Sequence, residues 1–272
     1  MRAVLVVAVV VTPSVMLSGV SSDAKQMVAL VALFAGMLTF VEYNADAPSL
    51  IEFRDAPPFN RVRLGMLFFT VLCLSIMESG RLHATSLTEL VQAIGHLVGR
   101  SMDFPYSPVR LAKLMLADTA TPAQVQTVRD AAGLAYITSL ISLAIFVILL
   151  KARVWPVRNR VFNVWVNLPT FDPTVGDLVE RLERDAHINI ALGFLLPFVI
   201  PFIVSLSSSG INPDSMTASQ TLIWTMTAWA FLPASLFMRG IAMGRIADMV
   251  RQIRSMQGAR DGLALARASR AF

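Results

Sequence analysis

Three histidines and one cysteine are the side chains best suited to metal binding or nucleophilic chemistry, and they are His83, His96, His187 and Cys73. A protein metal site needs three or four ligands at characteristic spacings. His83 and His96 have no third ligand at such a spacing, so we expect ordinary surface histidines. Cys73 is the only cysteine, which excludes a disulfide within the chain. With no P-loop, HExxH, GxSxG or dinucleotide fingerprint, the sequence predicts no catalytic residue, metal or cofactor.

Charged side chains inside apolar runs are a second place where chemistry could occur. A charge at the centre of a bilayer is costly and usually marks an ion or proton pathway. Glu42 and Glu78 lie at the ends of apolar runs, where we expect each carboxylate to reach water. The runs contain no acid–base pair, which argues against a proton-coupled pump. A membrane-embedded enzyme acting on a lipid is a third functional possibility. In its strongest form, His187, Asp185 and the cluster at residues 151–160 would lie close together in the folded protein.

Prolines in the apolar runs are candidate hinges, namely Pro197, Pro201 and Pro233. Pro197 and Pro201 are four residues apart and therefore share one face of a helix. Each proline removes a backbone donor and frees a carbonyl. Transporters use broken helices of this kind at their binding sites. Prolines in spans more often only set a bend, and a bend is the interpretation that we favour here.

Membrane helices are the elements that must position these residues. The 272 residues are 55% hydrophobic and 15% charged, with a mean hydropathy of +0.63. Soluble domains contain about 45–50% apolar and about 25% charged residues. The net charge of +5 comes from basic residues that flank apolar runs rather than from a basic and aromatic patch. This pattern favours membrane topology over nucleic-acid binding.

The predicted fold class is an all-α polytopic membrane protein with about six transmembrane helices and short amphipathic interfacial helices. The apolar runs are residues 3–20, 27–41, 64–77, 131–150, 187–206 and 220–238. The first run also fits a cleaved signal peptide, although we favour a retained helix. One short run could be re-entrant instead of spanning.

The chain divides into six segments between and around these runs. They are three N-terminal membrane helices (1–79), an extracytoplasmic amphipathic helical segment (80–121), a long fourth helix (122–153), a cytoplasmic loop and helix (154–186), the proline-bearing transmembrane hairpin (187–238) and a basic cytoplasmic tail helix (239–272). A capping box is predicted at Ser86 to Glu89. Ser107-Pro108, Thr121-Pro122 and Asp172-Pro173 predict further helix starts.

Small residues recur four apart in three of the predicted helices, where they could permit close helix contact. The pairs are Ala32 with Gly36, Ala131 with Ala135, and Gly240 with Gly244. Such spacing is frequent in a chain rich in small residues, so we expect these pairs to arise by chance.

The distribution of charge predicts the orientation of the chain. Most of the 23 lysines and arginines fall on one side of the six-span arrangement. The positive-inside rule then places both ends in the cytoplasm. Arginine is far commoner than lysine, which together with abundant alanine and valine suggests a GC-rich bacterial genome. We therefore predict a bacterial inner membrane protein.

These observations predict a non-enzymatic structural, assembly or scaffold component of a membrane complex. The alternative is a channel or carrier for a neutral or apolar solute that uses the proline-bearing fifth helix. Four arginines of the tail helix are a candidate surface for anionic lipid or for a protein partner, and they are Arg239, Arg245, Arg251 and Arg254. Membrane lipids, other membrane proteins or a second copy of the chain are the expected partners.

Overall fold

A computed structural model describes residues 1–46, 49–54, 57–152, 168, 177–206 and 212–268, which form nine helices and no strands. The helices are α1 (Arg2–Met16), α2 (Ser22–Asn44), α3 (Pro57–Ser79), α4 (Ser86–Ser101), α5 (Pro108–Lys113), α6 (Pro122–Lys151), α7 (Leu178–Leu206), α8 (Pro213–Thr217) and α9 (Ser219–Ala268). Five of them, α2, α3, α6, α7 and α9, are long and apolar enough to cross a membrane. The predicted polytopic all-α fold is confirmed.

Helix α1 is shorter than the apolar run that predicts it. Its 15 residues extend about 22 Å at 1.5 Å per residue, less than the roughly 30 Å of a hydrocarbon core. The run ends early because Gly19 turns the chain at φ +89° and Ser21 caps α2 by accepting from the amide of Ala24. Helix α1 packs antiparallel to α2, with Val7 beside Gly36. Five of the six predicted runs thus lie in helices of spanning length.

Helix starts agree with the cap residues in the sequence, with one shift. The Ser107 and Thr121 side chains accept from the amides of Arg110 and Gln124, as predicted. The capping box of α4 is formed by Thr85 and Thr88, one residue before the predicted box. The shift arises because the Thr88 hydroxyl is close enough to accept from the amide of Thr85, at 2.8 Å. The predicted start at Asp172-Pro173 lies outside the described residues.

Helices α7 and α9 are each continuous across a predicted segment boundary. Helix α7 has 29 residues and α9 has 50, so they extend about 44 and 75 Å. The helix predicted to precede the fifth span and that span are therefore one element, as are the sixth span and the tail helix. No proline or glycine interrupts the chain between Leu178 and Ile190, and Pro197 and Pro201 lie inside the unbroken helix.

Small residues form the tightest helix contacts, so the expectation of chance spacing is wrong. A Cβ on Gly240 would lie 2.7 Å from the Ala186 carbonyl oxygen, and a Cβ on Gly193 would lie 2.7 Å from the Phe237 amide. These glycines let the backbones of α7 and α9 touch. Among the predicted pairs, Ala131 and Ala135 are fully buried, Ala32 is 1% exposed, and Gly36 contacts α1.

Among the residues that the structure describes, buried apolar side chains form two clusters at opposite ends of the bundle. One cluster lies at the end that contains α4, α5, α8 and Ser219, which we call the α4 end; its members include Val71, Leu74, Val109, Val128, Leu222 and Met226. The other lies where α9 leaves the bundle, which we call the tail end; its members include Phe53, Phe59, Phe146, Leu182, Met238 and Ile246. The polar sites of the protein lie beside these clusters.

Candidate functional site

A polar cavity of about 540 Å³ opens at the α4 end. Its walls come from α3, α4 and α6, and they include Glu78, Arg81, Gln92, His96, Gln126 and Asp130. Glu78 is 1% exposed and Asp130 is 8% exposed. Buried carboxylates are costly unless they are paired or hydrogen-bonded, so their partners decide what the cavity does.

Glu78 joins three elements at the last turn of α3. Its Oε2 accepts a hydrogen bond of 2.8 Å from the Ser219 hydroxyl, at the start of α9. The Arg81 guanidinium donates to the same oxygen at 3.1 Å and to the carbonyl of Thr217 at 3.4 Å. The carboxylate is thus neutralised by Arg81 and holds the start of α9 against the end of α3.

Asp130 meets α4 through a contact that two glycines permit. A Cβ on Gly133 would lie 2.5 Å from the Cα of Gly99, and a Cβ on Gly99 would lie 2.8 Å from the Cα of Asp130. This close approach brings His96 Nδ1 to 3.2 Å from Asp130 Oδ2. The Arg129 Nε donates to the other carboxylate oxygen at 2.9 Å. The small residues of α4 therefore position an imidazole on a buried carboxylate.

The His96 imidazole lies at the mouth of the cavity. The His96 side chain is 47% exposed while that of Asp130 is 11% exposed, so the imidazole links the buried carboxylate to water. A terminal nitrogen of Arg129 and the side-chain amide nitrogen of Gln126 also lie 3.2 Å from His96 Nδ1. Gln92 and Gln126 add amide groups to the walls, and Gln92 donates to the carbonyl of Met77. The walls of the cavity thus combine carboxylate, guanidinium, imidazole and amide groups with apolar side chains.

The expectation that the carboxylates at the run ends reach water is wrong. Glu42 is 7% exposed because the chain after α2 folds back onto it. Its Oε2 accepts from the amides of Ser49, Leu50 and Ile51, and its Oε1 accepts from the Ser49 hydroxyl. Backbone amides and a hydroxyl thus take the place of the water molecules that we expected to hydrate this carboxylate. Asp130, which sequence reasoning did not single out, is buried by α4 in the same manner.

The candidate hinge prolines lie in packed surroundings. Pro201 has no N–H, which leaves the Pro197 carbonyl without its helical donor. The indole Nε1 of Trp229, on α9, donates to this carbonyl at 3.2 Å. Pro197 and Pro233 also line a small cavity of about 80 Å³ between α6, α7 and α9. Pro197, Pro201 and Pro233 are all buried, so the structure brings the predicted hinge residues into one tightly packed region.

Three of the four candidate surface arginines form ion pairs within the chain. Arg239 donates from Nε and from one terminal nitrogen to the two carboxylate oxygens of Glu52, at 2.6 and 2.7 Å. Arg254 pairs with Asp177 at 2.9 Å, and Arg251 pairs with Glu183. Arg245 is half-buried on the same helix. The arginines therefore brace α9 against α7 and against the segment after α2, and a lipid or partner surface there stays a prediction.

The remaining chemical candidates stay apart from this polar cavity. His83 and His187 are exposed. Within the described ranges, no group of three or more His, Cys, Asp and Glu side chains is placed to hold a metal ion. Residues 153–160 of the cluster considered for a lipid-active enzyme lie outside those ranges. A second cavity, at the tail end, is lined by arginines and apolar side chains, and it was not predicted from the sequence.

The fold defines a polytopic helical membrane protein. Comparison of the chain with protein-family models, with curated proteins and with solved structures finds no match. Function must therefore be argued from the sites themselves.

Proposed function

We propose that the protein is a non-enzymatic scaffold or assembly component of a complex in a bacterial inner membrane. The observation that carries this proposal is the continuation of α9 beyond the tail-end cluster. Among the α9 side chains that the structure describes, Ala247 is the last that is fully buried, and Met249 and Val250 are partly buried against the tail-end cluster. The helix continues to Ala268.

The extension of α9 has the character of a docking element. Residues 251–256 are all exposed, and they include the apolar side chains of Ile253 and Met256, which are 51% and 59% exposed. Isolated helices of about 12–15 residues are only marginally stable in water, and helices in proteins derive most of their stability from packing. A partner that covers Ile253 and Met256 would provide this packing.

The base of the extension is held in a fixed direction. Glu183 and Asp177, from α7 and the residue before it, form ion pairs with Arg251 and Arg254 of α9. Exposed ion pairs contribute little stability on their own. Together with the glycine contacts between α7 and α9, they set the angle at which the helix leaves the bundle. A fixed direction is useful to a scaffold that presents one surface to a partner.

The packing around the prolines favours this proposal over the channel or carrier alternative. A moving fifth helix would have to break the hydrogen bond from Trp229 to the Pro197 carbonyl, which is buried. The orientation is supported by arginine positions, since Arg2, Arg54, Arg61, Arg63 and Arg239 all lie at the tail end. The positive-inside rule then puts the tail end and the α9 extension in the cytoplasm.

Cross-linking and mass spectrometry on native membranes test the proposal. Affinity-tagged wild-type protein is compared with I253D/M256D, which adds two charges to the apolar positions, and with Q252D/S255D, which adds the same charges at neighbouring exposed positions. We expect specific protein partners to be captured by the wild type and by Q252D/S255D, and to be lost from I253D/M256D. A wild type that purifies only as a monomer, or equal capture by all three proteins, would contradict the proposal.

A further inference from the structure

The second cavity, at the tail end, has a volume of about 530 Å³. It lies between α1, the segment after α2, α3 and α9. Four arginines, Arg2, Arg54, Arg61 and Arg63, line it. Apolar side chains from α1 and α3, including Leu5 and Leu67, form another part of its lining. The cavity thus combines a cationic region with an apolar one.

Arg63 is the unusual residue of this cavity. Its Nε is buried and has no hydrogen-bond partner. The guanidinium carbon lies 4.9 Å from the centroid of the Phe59 ring and 5.8 Å from that of Phe231. Aromatic faces stabilise the cation but leave its N–H donors unused. A buried donor without an acceptor is uncommon in native structures, and an ion at the site is one of its ordinary explanations.

The carboxylate in the cavity does not supply the missing acceptor. Glu52 lines the cavity, but both of its oxygens accept from Arg239. Arg54 donates to the carbonyl of Ala45, and Arg2 stacks on the Tyr43 ring. Among the residues described, the lining therefore carries four arginines and one carboxylate that is already engaged. An anion is the ligand that this charge distribution favours.

We propose that this cavity binds the phosphate group of an anionic phospholipid, with the phosphate on Arg63 and an acyl chain against Leu5 and Leu67. Arginine is the side chain best matched to phosphate oxygens, since its N–H donors form a planar fork. Free phosphate shares the same chemistry at Arg63. A lipid uses the apolar lining as well, and Leu5 is 50% exposed at the edge where an acyl chain would leave. The ligand proposed is therefore amphiphilic.

Thermal unfolding and native mass spectrometry of the detergent-purified full chain test this site. The probes are phosphatidylglycerol, phosphatidylcholine and inorganic phosphate, each added separately. We expect phosphatidylglycerol to raise the melting temperature of the wild type most, and R63Q to bind it about tenfold more weakly, the loss expected for one charge-assisted hydrogen bond. R100Q removes the same charge from an exposed position on α4 and is the control, which should bind phosphatidylglycerol as the wild type does. R245Q probes the tail-helix surface that the sequence predicts for anionic lipid.

A second variant keeps the test independent of the fold around Arg63. L5W places a large ring at the apolar edge and leaves all four arginines in place, and we expect it to lose retained phosphatidylglycerol in native mass spectra. Unchanged lipid binding by both R63Q and L5W would overturn the proposal. Equal stabilisation by inorganic phosphate and phosphatidylglycerol, or loss of lipid from R245Q alone, would also overturn it, because the ligand would be a free anion or would lie on the surface of α9.

Discussion

The indole of Trp229 donates a hydrogen bond to a buried carbonyl oxygen of α7. Without this bond the carbonyl would have no partner, because it belongs to one of two prolines four residues apart and the second has no N–H. The Pro197 carbonyl loses its helical partner because Pro201 has no N–H, and Trp229 Nε1 supplies the donor at 3.2 Å. This hydrogen bond compensates for the donor that α7 lacks at Pro201. It also assigns Trp229 a structural role that its apolar surroundings alone do not suggest.

The pairing of Trp229 with the Pro197 carbonyl gives a two-step prediction. W229F leaves the carbonyl buried and unpaired, and we expect the free energy of unfolding to fall by about 1–3 kcal/mol. P201A introduces an N–H at the position that normally donates to this carbonyl, so W229F/P201A should recover part of that loss. Chemical unfolding in micelles measures both effects, with W224F as the control for loss of indole volume. W229F as stable as the wild type would refute this role.

Asp103 is the residue whose ionisation we expect to matter for the connection between α4 and α5. Burial opposes ionisation of this carboxyl, but hydrogen bonds from Lys113 and Arg110 outweigh burial and hold its pKa below the ordinary value of 3.8. The carboxylate accepts at 2.6 Å from Lys113 and at 2.8 Å from Arg110. A lowered pKa in the folded state means that the charged carboxyl stabilises the protein above pH 3.8.

The stability that Asp103 contributes should therefore be lost as the pH falls through its folded-state pKa. We expect D103N to be less stable than the wild type by about 1–3 kcal/mol at pH 7, and the difference to shrink once the pH falls below 3.8. Thermal unfolding at a series of pH values measures this. D118N changes an exposed aspartate four residues before the start of α6 and serves as the control. A difference that is independent of pH would show that charge is not the cause.

Single residues also show which contacts could not be predicted from the sequence. The sequence places Glu78 and Glu42 at the ends of apolar runs, but it does not reveal the donors that hydrogen-bond to their carboxylates. Ser219 lies 141 positions from Glu78, and Glu52 lies 187 positions from Arg239. Nothing in the local pattern of one sequence connects such distant positions. The expectation of solvated carboxylates was physically sound for an isolated helix end. It failed because the fold supplied the hydrogen bonds, from the turn after α2 for Glu42 and from the start of α9 for Glu78.

The contact between α4 and α6 is an element whose geometry depends on glycine. G133A would place a Cβ 2.5 Å from the Cα of Gly99, which is backbone and cannot rotate away. We expect α4 to move off α6, the His96–Asp130 contact to be lost, and the free energy of unfolding to fall by about 1–3 kcal/mol. Thermal unfolding and limited proteolysis between α3 and α5 report the two effects.

Gly65 provides the matched control for this substitution. It also lies within a long membrane helix, α3, but a Cβ there meets nothing within 4 Å. G65A should leave the protein as stable as the wild type or raise its stability by up to about 1 kcal/mol, because alanine favours the helix. Equal destabilisation by G65A and G133A would mean that the effect arises from glycine in a span in general rather than from the α4–α6 contact.

Helix positions were largely predictable from the sequence, whereas helix contacts were not. The caps at Ser107 and Thr121 and the apolar runs determine where helices begin, because capping and hydrophobic burial are local effects. The continuity of α7 was not predicted because its first turns are polar and the rest is apolar. Such a change in composition resembles the boundary between a surface helix and a membrane span. The small-residue pairs were missed because their spacing is common and only the opposing backbone distinguishes a contact from chance.

At the scale of the whole molecule, polar groups are segregated to the two ends. The α4 end holds the carboxylates of Glu78 and Asp130, and the tail end holds the arginine cavity and the base of the α9 extension. The cationic tail end and the more mixed α4 end are the structural counterpart of the charge bias along the chain. The positive-inside rule converts this asymmetry into an orientation that can be measured.

Single-cysteine labelling tests the orientation directly, because Cys73 is the only native cysteine and C73S gives a background without thiols. Thr119 lies exposed before α6 at the α4 end, and Gly258 lies exposed on the α9 extension. In spheroplasts treated with a membrane-impermeant maleimide, we expect T119C to react at once and G258C to react only after permeabilisation. The reversed pattern would place the tail end outside. Labelling of both positions from one side would mean an even number of crossings between them, which is incompatible with α6, α7 and α9 all spanning the membrane.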